Sequence, residues 1–93
     1  MEIKHDVDHD RFLLWNEDKQ EVGTIVYRMG DNGDITATHT EVYEAFGGKG
    51  YASVLLNALV EYARAKKAKI IPICPYVKAA FTKHPEKYAD VMK

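Results

Sequence analysis

The sequence has little of several features that would place it in a specialised class. It holds one cysteine among 93 residues, so no disulfide can form within the chain, which argues against a disulfide-stabilised secreted domain. Its formal net charge of -1 provides no electrostatic attraction to nucleic acid or anionic membranes. No apolar run approaches the length of a membrane span, and the polar start at Met1–Asp6 does not resemble a signal peptide. We therefore expect a cytoplasmic protein without nucleic-acid or membrane partners.

The sequence also lacks the residue spacing of a metal site and the length for a second domain. His5, His9 and His84 form no short-spaced pair with each other, with Cys74 or with carboxylates, so we expect no metal site. A chain of 93 residues has room for one modest core, because small proteins bury a smaller share of their surface. Residues 1–93 are accordingly predicted to form a single domain.

Short β-branched or aromatic segments separated by turn residues fill the first part of the sequence, a pattern that indicates antiparallel strands. The strands are predicted near Glu2–Val7, Arg11–Trp15, Val22–Met29 and Asp34–Val42. Between the last two, Gly30–Gly33 contains residues that tolerate a positive φ and favour a hairpin turn. These strands form one antiparallel run.

The later part of the sequence changes to a helical period. Apolar residues recur at three- and four-residue steps over Tyr51–Lys67, which predicts an amphipathic helix. Ile70–Cys74 is short and continuously apolar, the pattern of a strand buried on both faces. A strand, helix, strand unit requires parallel strands, so the fourth and fifth strands should be neighbours in one mixed sheet. A second helix is predicted over Tyr76–Lys83, which makes the fold class α+β.

Three glycines lie between the fourth strand and the long helix, in the segment Gly47-Gly48-Lys49-Gly50-Tyr51-Ala52. Backbone N–H groups at a helix N-terminus lack partners and carry the positive end of the helix dipole, so they favour a phosphate. Lys49 adds a positive charge. The alternative is a flexible turn in which the glycines only relieve strain. The spacing matches neither the dinucleotide fingerprint nor the P-loop of nucleotide triphosphatases.

Four blocks follow one another in the sequence: His39–Val42 (HTEV), the loop Gly47–Ala52, Pro72–Val77 (PICPYV) and His84–Glu86 (HPE). Their order resembles a branch of very small proteins in the GNAT acetyltransferase superfamily, in which a glycine loop between the fourth strand and the next helix holds the cofactor pyrophosphate. The sequence departs from the superfamily at Gly47, where Arg or Gln is usual, and in lacking the first two helices. The resemblance implies a GNAT-like α+β fold and an acetyltransferase activity.

The resemblance also implies a cofactor, acetyl-coenzyme A or coenzyme A, and a set of residues around it. The pantetheine arm would contact the backbone of Glu41 and Val42, and the thioester would lie near His39 and Cys74. Lys83 stands where the superfamily often has a tyrosine that protonates the departing thiolate; it could meet a cofactor phosphate or be a solvated helix-end lysine. The residues expected to bind the cofactor are Glu41, Val42, Gly47, Gly48, Lys49, Gly50, Tyr51, Ala52 and Lys83.

Two side chains are candidates for catalysis. Cys74 lies just before a predicted helix N-terminus, which favours a thiolate; it could accept the acetyl group, move a proton, line the site, or be an inert core residue. His39 could act as a base or orient Cys74, since histidine exchanges protons near neutral pH; it could equally be a satisfied strand residue. If the fourth strand alternates strictly, Ala37, His39 and Glu41 share a face; whether His39 faces the site depends on where any bulge falls.

Tyrosines offer substitutes for the proton donor that is missing at Lys83. Tyr76 and Tyr88 both lie near the predicted second helix. Each could protonate a departing thiolate, and each could instead be a packing aromatic.

Two functional hypotheses follow. In the first, the chain is an N-acetyltransferase that transfers an acetyl group from acetyl-coenzyme A to a primary amine of a small molecule or peptide, with Cys74 as a candidate acetyl carrier. In the second, it is a non-catalytic or weakly catalytic module that binds coenzyme A or acyl-coenzyme A. The residue pattern specifies neither the acceptor nor the oligomeric state.

Overall fold

The computed structural model describes all residues, 1–93, and contains five strands and three α-helices. In chain order these are β1 (Glu2–Asp6), β2 (Arg11–Trp15), β3 (Glu21–Met29), β4 (Ile35–Val42), α1 (Tyr51–Lys66), β5 (Ile70–Pro72), α2 (Pro75–Lys83) and α3 (Pro85–Tyr88). The strands form one sheet in sequence order, with β1 to β4 antiparallel and β5 parallel to β4. The predicted α+β fold with a mixed sheet is confirmed. None of the helices is long and apolar enough to cross a membrane.

Pairing across the sheet shows which side the helices occupy. Side chains paired in register share a face, and one such row crosses four strands: His5, Phe12, Ile25 and Thr40. The ring of Tyr62, on α1, lies 4.5 Å from the ring of His5. Cys74, which precedes α2, contacts Thr40. Both helices therefore cover the same side of the sheet, here called the helix face; the opposite side, here called the uncovered face, has no helix on it.

The core lies between the helix face and α1. Its fully buried side chains include Leu14, Ile25, Ile35, Leu55, Leu59 and Ile70. Each such side chain stabilises the fold by about 1.5–3 kcal/mol relative to exposure. The apolar period that predicted α1 thus corresponds to the stripe of the helix that packs on the sheet.

The fifth strand differs from its prediction in length and in burial. β5 ends at Pro72, because the backbone N–H groups of Ile73 and Cys74 both donate to the carbonyl of Ala37, at 3.1 and 2.8 Å, and turn the chain into α2. The expectation of burial on both faces is wrong: Ile70 is fully buried, whereas Ile73 is 63% exposed. The run is continuously apolar even though only one of its sides is covered by helices.

Candidate functional site

The glycine loop connects β4 to α1 through a short 3-10 turn at Glu44–Phe46. Gly48 and Gly50 adopt left-handed conformations, with φ of 77° and 76°. A Cβ atom on either would meet nothing within 4 Å. Backbone conformation, rather than crowding, therefore favours glycine at these two positions, and the loop presents an open backbone surface.

Five consecutive backbone N–H groups in this segment have no hydrogen-bond acceptor: those of Gly48, Lys49, Gly50, Tyr51 and Ala52. Ser53 is the first residue that bonds back, with its N–H 3.2 Å and its hydroxyl 2.8 Å from the carbonyl oxygen of Gly50. No side chain caps α1. Free N–H groups at the N-terminus of a 16-residue helix carry the positive end of its dipole, so this segment can hold an anion such as a phosphate.

A wedge-shaped opening separates β4 from β5. The two strands pair only at Ile35–Ala37 with Ile70–Pro72, after which β4 continues to Val42 while β5 turns into α2. The later part of β4 therefore has a neighbour on its β3 side only. Its free edge lies between the glycine loop and the start of α2.

The backbone of β4 alternates in the direction of its polar groups, because alternate residues of an antiparallel strand bond to the same neighbour. The N–H of Tyr43 donates to the carbonyl of Val22 in the β3 direction, at 3.0 Å. The alternation therefore directs the backbone groups of Glu41 toward β3 and those of Val42 and Thr40 into the opening. Of the two backbone contacts predicted for the pantetheine arm, the geometry favours Val42 over Glu41.

Cys74 lies at the narrow end of this opening, at the N-cap position of α2, where its side chain makes no capping hydrogen bond. Its side chain is on the helix face and only 3% exposed. The thiol donates a hydrogen bond to the hydroxyl oxygen of Thr40 at 3.3 Å. The pair joins the free part of β4 to the start of α2, at the point where the two strands diverge.

His39 lies on the other side of the sheet. The β3–β4 pairing shifts from Val26 with His39 to Tyr27 with Ala37, which leaves Thr38 as an extra residue in a β-bulge. The bulge places Ala37 and His39 on opposite faces, so the condition of strict alternation, under which they would share a face, does not hold. The structure therefore does not bring His39 to Cys74.

His39 and Glu41 instead form a weak pair on the uncovered face. The Nε2 atom of His39 is 3.5 Å from Oε1 of Glu41, and their side chains are 59% and 53% exposed. A carboxylate beside an imidazole can attract an ammonium group and accept a proton from it. The pair lies on the side of the opening that the helices leave free.

A cavity of about 300 Å³ lies between the first turn of α1 and α2. It is lined by Ser53, Tyr76, Ala79, Ala80, Lys83, His84, Lys87 and Tyr88. Lys83, predicted to meet the cofactor, therefore faces a cavity together with a second lysine and a histidine. The cavity suits an anionic ligand that also has an apolar part.

The two candidate tyrosines differ in their surroundings. Tyr88 is 4% exposed and its ring centre is 5.0 Å from that of Phe81, so it is mainly a packing aromatic. Tyr76 is 37% exposed. Burial raises the pKa of Tyr76, and Tyr88 and Cys74 raise it further, so the phenol keeps its proton at neutral pH and can donate it.

Sequence and structure comparisons identify the family and the fold. The family model of GCN5-related N-acetyltransferases matches residues 11–91. The chain belongs to the GCN5-related N-acetyltransferase family. A GCN5-like protein from Staphylococcus aureus, solved by NMR, is 35% identical over 99% of this chain and 87% of its own, with a TM-score of 0.78. Membership in this family supports an acetyltransferase function.

More distant solved structures share the fold. Ribosomal-protein-alanine N-acetyltransferase from Brucella melitensis is 23% identical over 87% of this chain and 64% of its own, with a TM-score of 0.58. Nourseothricin acetyltransferase is 23% identical over 70% of this chain and 41% of its own, with a TM-score of 0.59. The chain thus spans less than two thirds of either protein, and at this identity the likeness concerns the fold alone. No curated protein matches the sequence.

Sequence reasoning missed several residues of the site. Thr40, the partner of the Cys74 thiol, belongs to the HTEV block, but the bulge that turns it toward Cys74 has no signal in the sequence. Lys87 and Ser53 line the cavity although they lie 34 positions apart. Only the packing of α2 and α3 beside α1 brings them together.

Proposed function

We propose that the chain is an acetyl-coenzyme-A-dependent N-acetyltransferase that acts on a primary amine. The observation that carries the proposal is the row of five free N–H groups at Gly48–Ala52, ahead of an uncapped helix. This arrangement suits the pyrophosphate of coenzyme A. Bound acetyl-coenzyme A would supply an activated thioester; the chain would bind it, orient it and handle the protons.

Residues around the glycine loop suit the other parts of coenzyme A. The ammonium of Lys49 is exposed beside it and can neutralise phosphate charge. The cavity beside Ser53 is of a size that ligand sites have, and Lys83 with Lys87 suits the phosphorylated nucleoside. The free backbone groups of Val42 and Thr40 suit the amide groups of the pantetheine arm. Gly47, with its amide bonded to Glu44 at 3.2 Å, supports the turn and contributes no free N–H.

Transfer to an amine forms an N–C bond and breaks a C–S bond, so one proton must leave the amine and one must reach the thiolate. On the uncovered face, the pair of Glu41 and His39 can attract an ammonium group and accept a proton from it. Near Cys74, the phenol of Tyr76 suits protonation of the thiolate. In this proposal His39 acts on the amine and does not orient Cys74.

Cys74 has two possible roles that chemistry distinguishes. It could accept the acetyl group, with its own proton going to the departing thiolate, and then pass the acetyl group to the amine. Alternatively it could line the site and hold Thr40 in place. Its low exposure and its bond to Thr40 favour a fixed thiol, which both roles require.

A second candidate function is a module that binds coenzyme A or acyl-coenzyme A with little chemistry. The observation that favours it is the absence of an enclosed acceptor pocket. The larger of the two cavities lies on the helix side of the molecule, and the other is lined by Met1, Asn16–Asp18 and Tyr51. Neither includes the pair of His39 and Glu41.

The test measures binding and transfer separately. Isothermal titration with coenzyme A and acetyl-coenzyme A reports binding, and intact-mass spectrometry with a panel of amines reports transfer. Binding with transfer supports the enzyme, whereas binding without transfer to any amine supports the module. Failure of both ligands to bind would overturn both proposals. Intact-mass spectrometry after addition of acetyl-coenzyme A without an amine tests the acetyl carrier: an acetyl adduct on the wild-type chain that Cys74→Ala abolishes supports this role, and a wild-type chain without an adduct contradicts it.

A further inference from the structure

The uncovered face carries an ordered pattern of charge. Two rows of paired residues cross it from β1 to β4, and each has polar or charged residues at its ends and one half-buried apolar side chain in its middle. The first row is Lys4, Leu13, Thr24 and Glu41, and the second is Asp6, Arg11, Val26 and His39. β5 does not reach these rows, because it pairs only with Ile35–Ala37. The patterned region is therefore four strands wide.

The two ends of the first row carry opposite charges. Lys4 on β1 has no carboxylate partner and lies 5.0 Å over the ring of Trp15. At the other end, Glu41 has only the 3.5 Å contact with His39. A cation at one edge and an anion at the other make the face complementary to a second copy of itself.

We propose that the uncovered face is the interface of a symmetric homodimer. A two-fold axis parallel to the strands would place β1 of one subunit over β4 of its partner and β2 over β3. Lys4 would then face Glu41 of the partner subunit, Leu13 would face Thr24 of the partner subunit, and Val26 would contact the aliphatic part of Arg11 of the partner subunit. Such a contact is isologous, because each subunit uses the same patch, and it corresponds to the aligned packing of two sheets.

The face is large enough for a specific but weak contact. Four strands spaced about 4.8 Å apart, each contributing about five residues at 3.4 Å, give roughly 350 Å² of flat area per subunit. Side chains that project from the sheet add accessible surface to this flat area. The surface buried by the two subunits together is therefore on the order of 1,000 Å², the lower limit of specific interfaces. We expect a dissociation constant in the micromolar range and a dependence on salt, since screened charges contribute.

The dimer would cover the Glu41 and His39 pair, to which the proposed function assigns the amine. The interface stops at β4, so the opening between β4 and β5 lies at its rim and coenzyme A can still reach it. The dimer and the amine would therefore compete for this face. Sedimentation without any amine measures association alone, so the two proposals can fail separately.

Sedimentation velocity over a wide concentration range tests the proposal on the full chain. The wild-type protein should show a reversible monomer–dimer equilibrium. Lys4→Glu and Glu41→Lys should each weaken it roughly tenfold to a hundredfold, because each places like charges opposite each other. The double variant, with the two charges exchanged, should restore it. Lys78→Glu, an exposed position on α2, matches the charge change of Lys4→Glu and should leave association unchanged.

Circular dichroism and thermal melts of each variant separate lost association from lost folding. A wild-type chain that stays monomeric at its highest soluble concentration would overturn the proposal, even if another protein were found to bind this face. Dimers that survive both single reversals, or that the double variant does not restore, would overturn this interface and its Lys4–Glu41 pairing.

Discussion

The thiol of Cys74 and the hydroxyl of Thr40 lie 3.3 Å apart across the opening between β4 and β5. Both side chains lie on the helix face of the sheet. Thr40 does so only because β4 carries an extra residue at Thr38, which reverses the side-chain alternation after Ala37. A hydroxyl can accept a hydrogen bond from a thiol and can also donate one to a thiolate. Thr40 is thus placed to hold Cys74 in either protonation state.

Replacement of Thr40 tests this relationship. Thr40→Val keeps the shape of the side chain and removes the hydrogen bond, which we expect to lower kcat about tenfold, equivalent to about 1.4 kcal/mol. Affinity for coenzyme A, measured by calorimetry, should stay within about twofold, because that affinity depends on the glycine loop and the cavity. Thr40→Ser should recover most of the rate. An unchanged kcat in Thr40→Val would show that the thiol needs no such partner.

The glycine loop offers a matched pair of substitutions. Gly50→Ala forces a Cβ into a left-handed conformation, with φ of 76°, which costs about 1 kcal/mol. It should also weaken coenzyme A binding at least tenfold, because relief of the strain redirects the free N–H groups. Gly47→Ala should change little, since Gly47 has a φ of -67° and a Cβ there would only touch the Glu44 carbonyl at 3.5 Å. Equal affinity for both variants, measured by calorimetry, would contradict a backbone phosphate site.

Much of the fold could be predicted because local patterns agree with the tertiary structure. Both ends of β2, Arg11 and Trp15, are those predicted from the sequence. The helix predicted for α1 ends one residue beyond the observed Lys66. In α1 the apolar period and the packing face coincide. At the end of β1, by contrast, Val7 leaves the strand, because a 3-10 turn and a left-handed Asp10 redirect the chain. The polar residues Asp8, His9 and Asp10 indicate this turn in the sequence, and Val7, which is 60% exposed, belongs to the turn and not to the strand.

The candidate site was predictable only in part. The loop Gly47–Ala52 has a local signature, because glycine, a helix start and a free backbone occur together in the sequence. The relation of His39 to Cys74 has no such signature. A bulge changes the face of each following side chain, and one extra residue within an alternating strand leaves the sequence pattern plausible in both registers.

Gly23 tests how closely β3 and β4 approach. A Cβ at this position would lie 2.7 Å from the backbone oxygen of Glu41 and 3.1 Å from Cδ1 of Leu55. A neighbouring backbone cannot yield without breaking the sheet, so Gly23→Ala should lower the free energy of unfolding by about 2 kcal/mol. Gly30→Ala is the control, because its Cβ would meet the Asn32 side-chain oxygen at 3.1 Å and a backbone oxygen, that of Asp34, only at the ordinary contact distance of 3.4 Å. Chemical denaturation measures both; equal losses would contradict the close approach.

We expect His5 to make the stability of the fold depend on pH. Its ring stacks on Phe12 with a centroid distance of 4.1 Å, and its Nε2 lies 2.6 Å from the hydroxyl of Tyr27. Burial lowers the pKa of His5 below its ordinary value of 6.5, although Asp10 and Asp6 oppose the shift. The folded chain therefore favours neutral His5, and the unfolded chain binds the proton first as the pH falls.

Because of that difference in proton binding, the free energy of unfolding should decrease as the pH falls. The contribution of His5 is fully present above pH 6.5 and declines as the pH falls through that value toward the lower pKa of the folded state. Urea denaturation between about pH 5 and 8, where histidine titrates, should show this slope in the wild-type chain. His5→Phe keeps the aromatic stack and should flatten the slope, whereas His9→Gln, at a side chain that is 68% exposed, should retain it. An unchanged slope in His5→Phe would assign the pH dependence to another group.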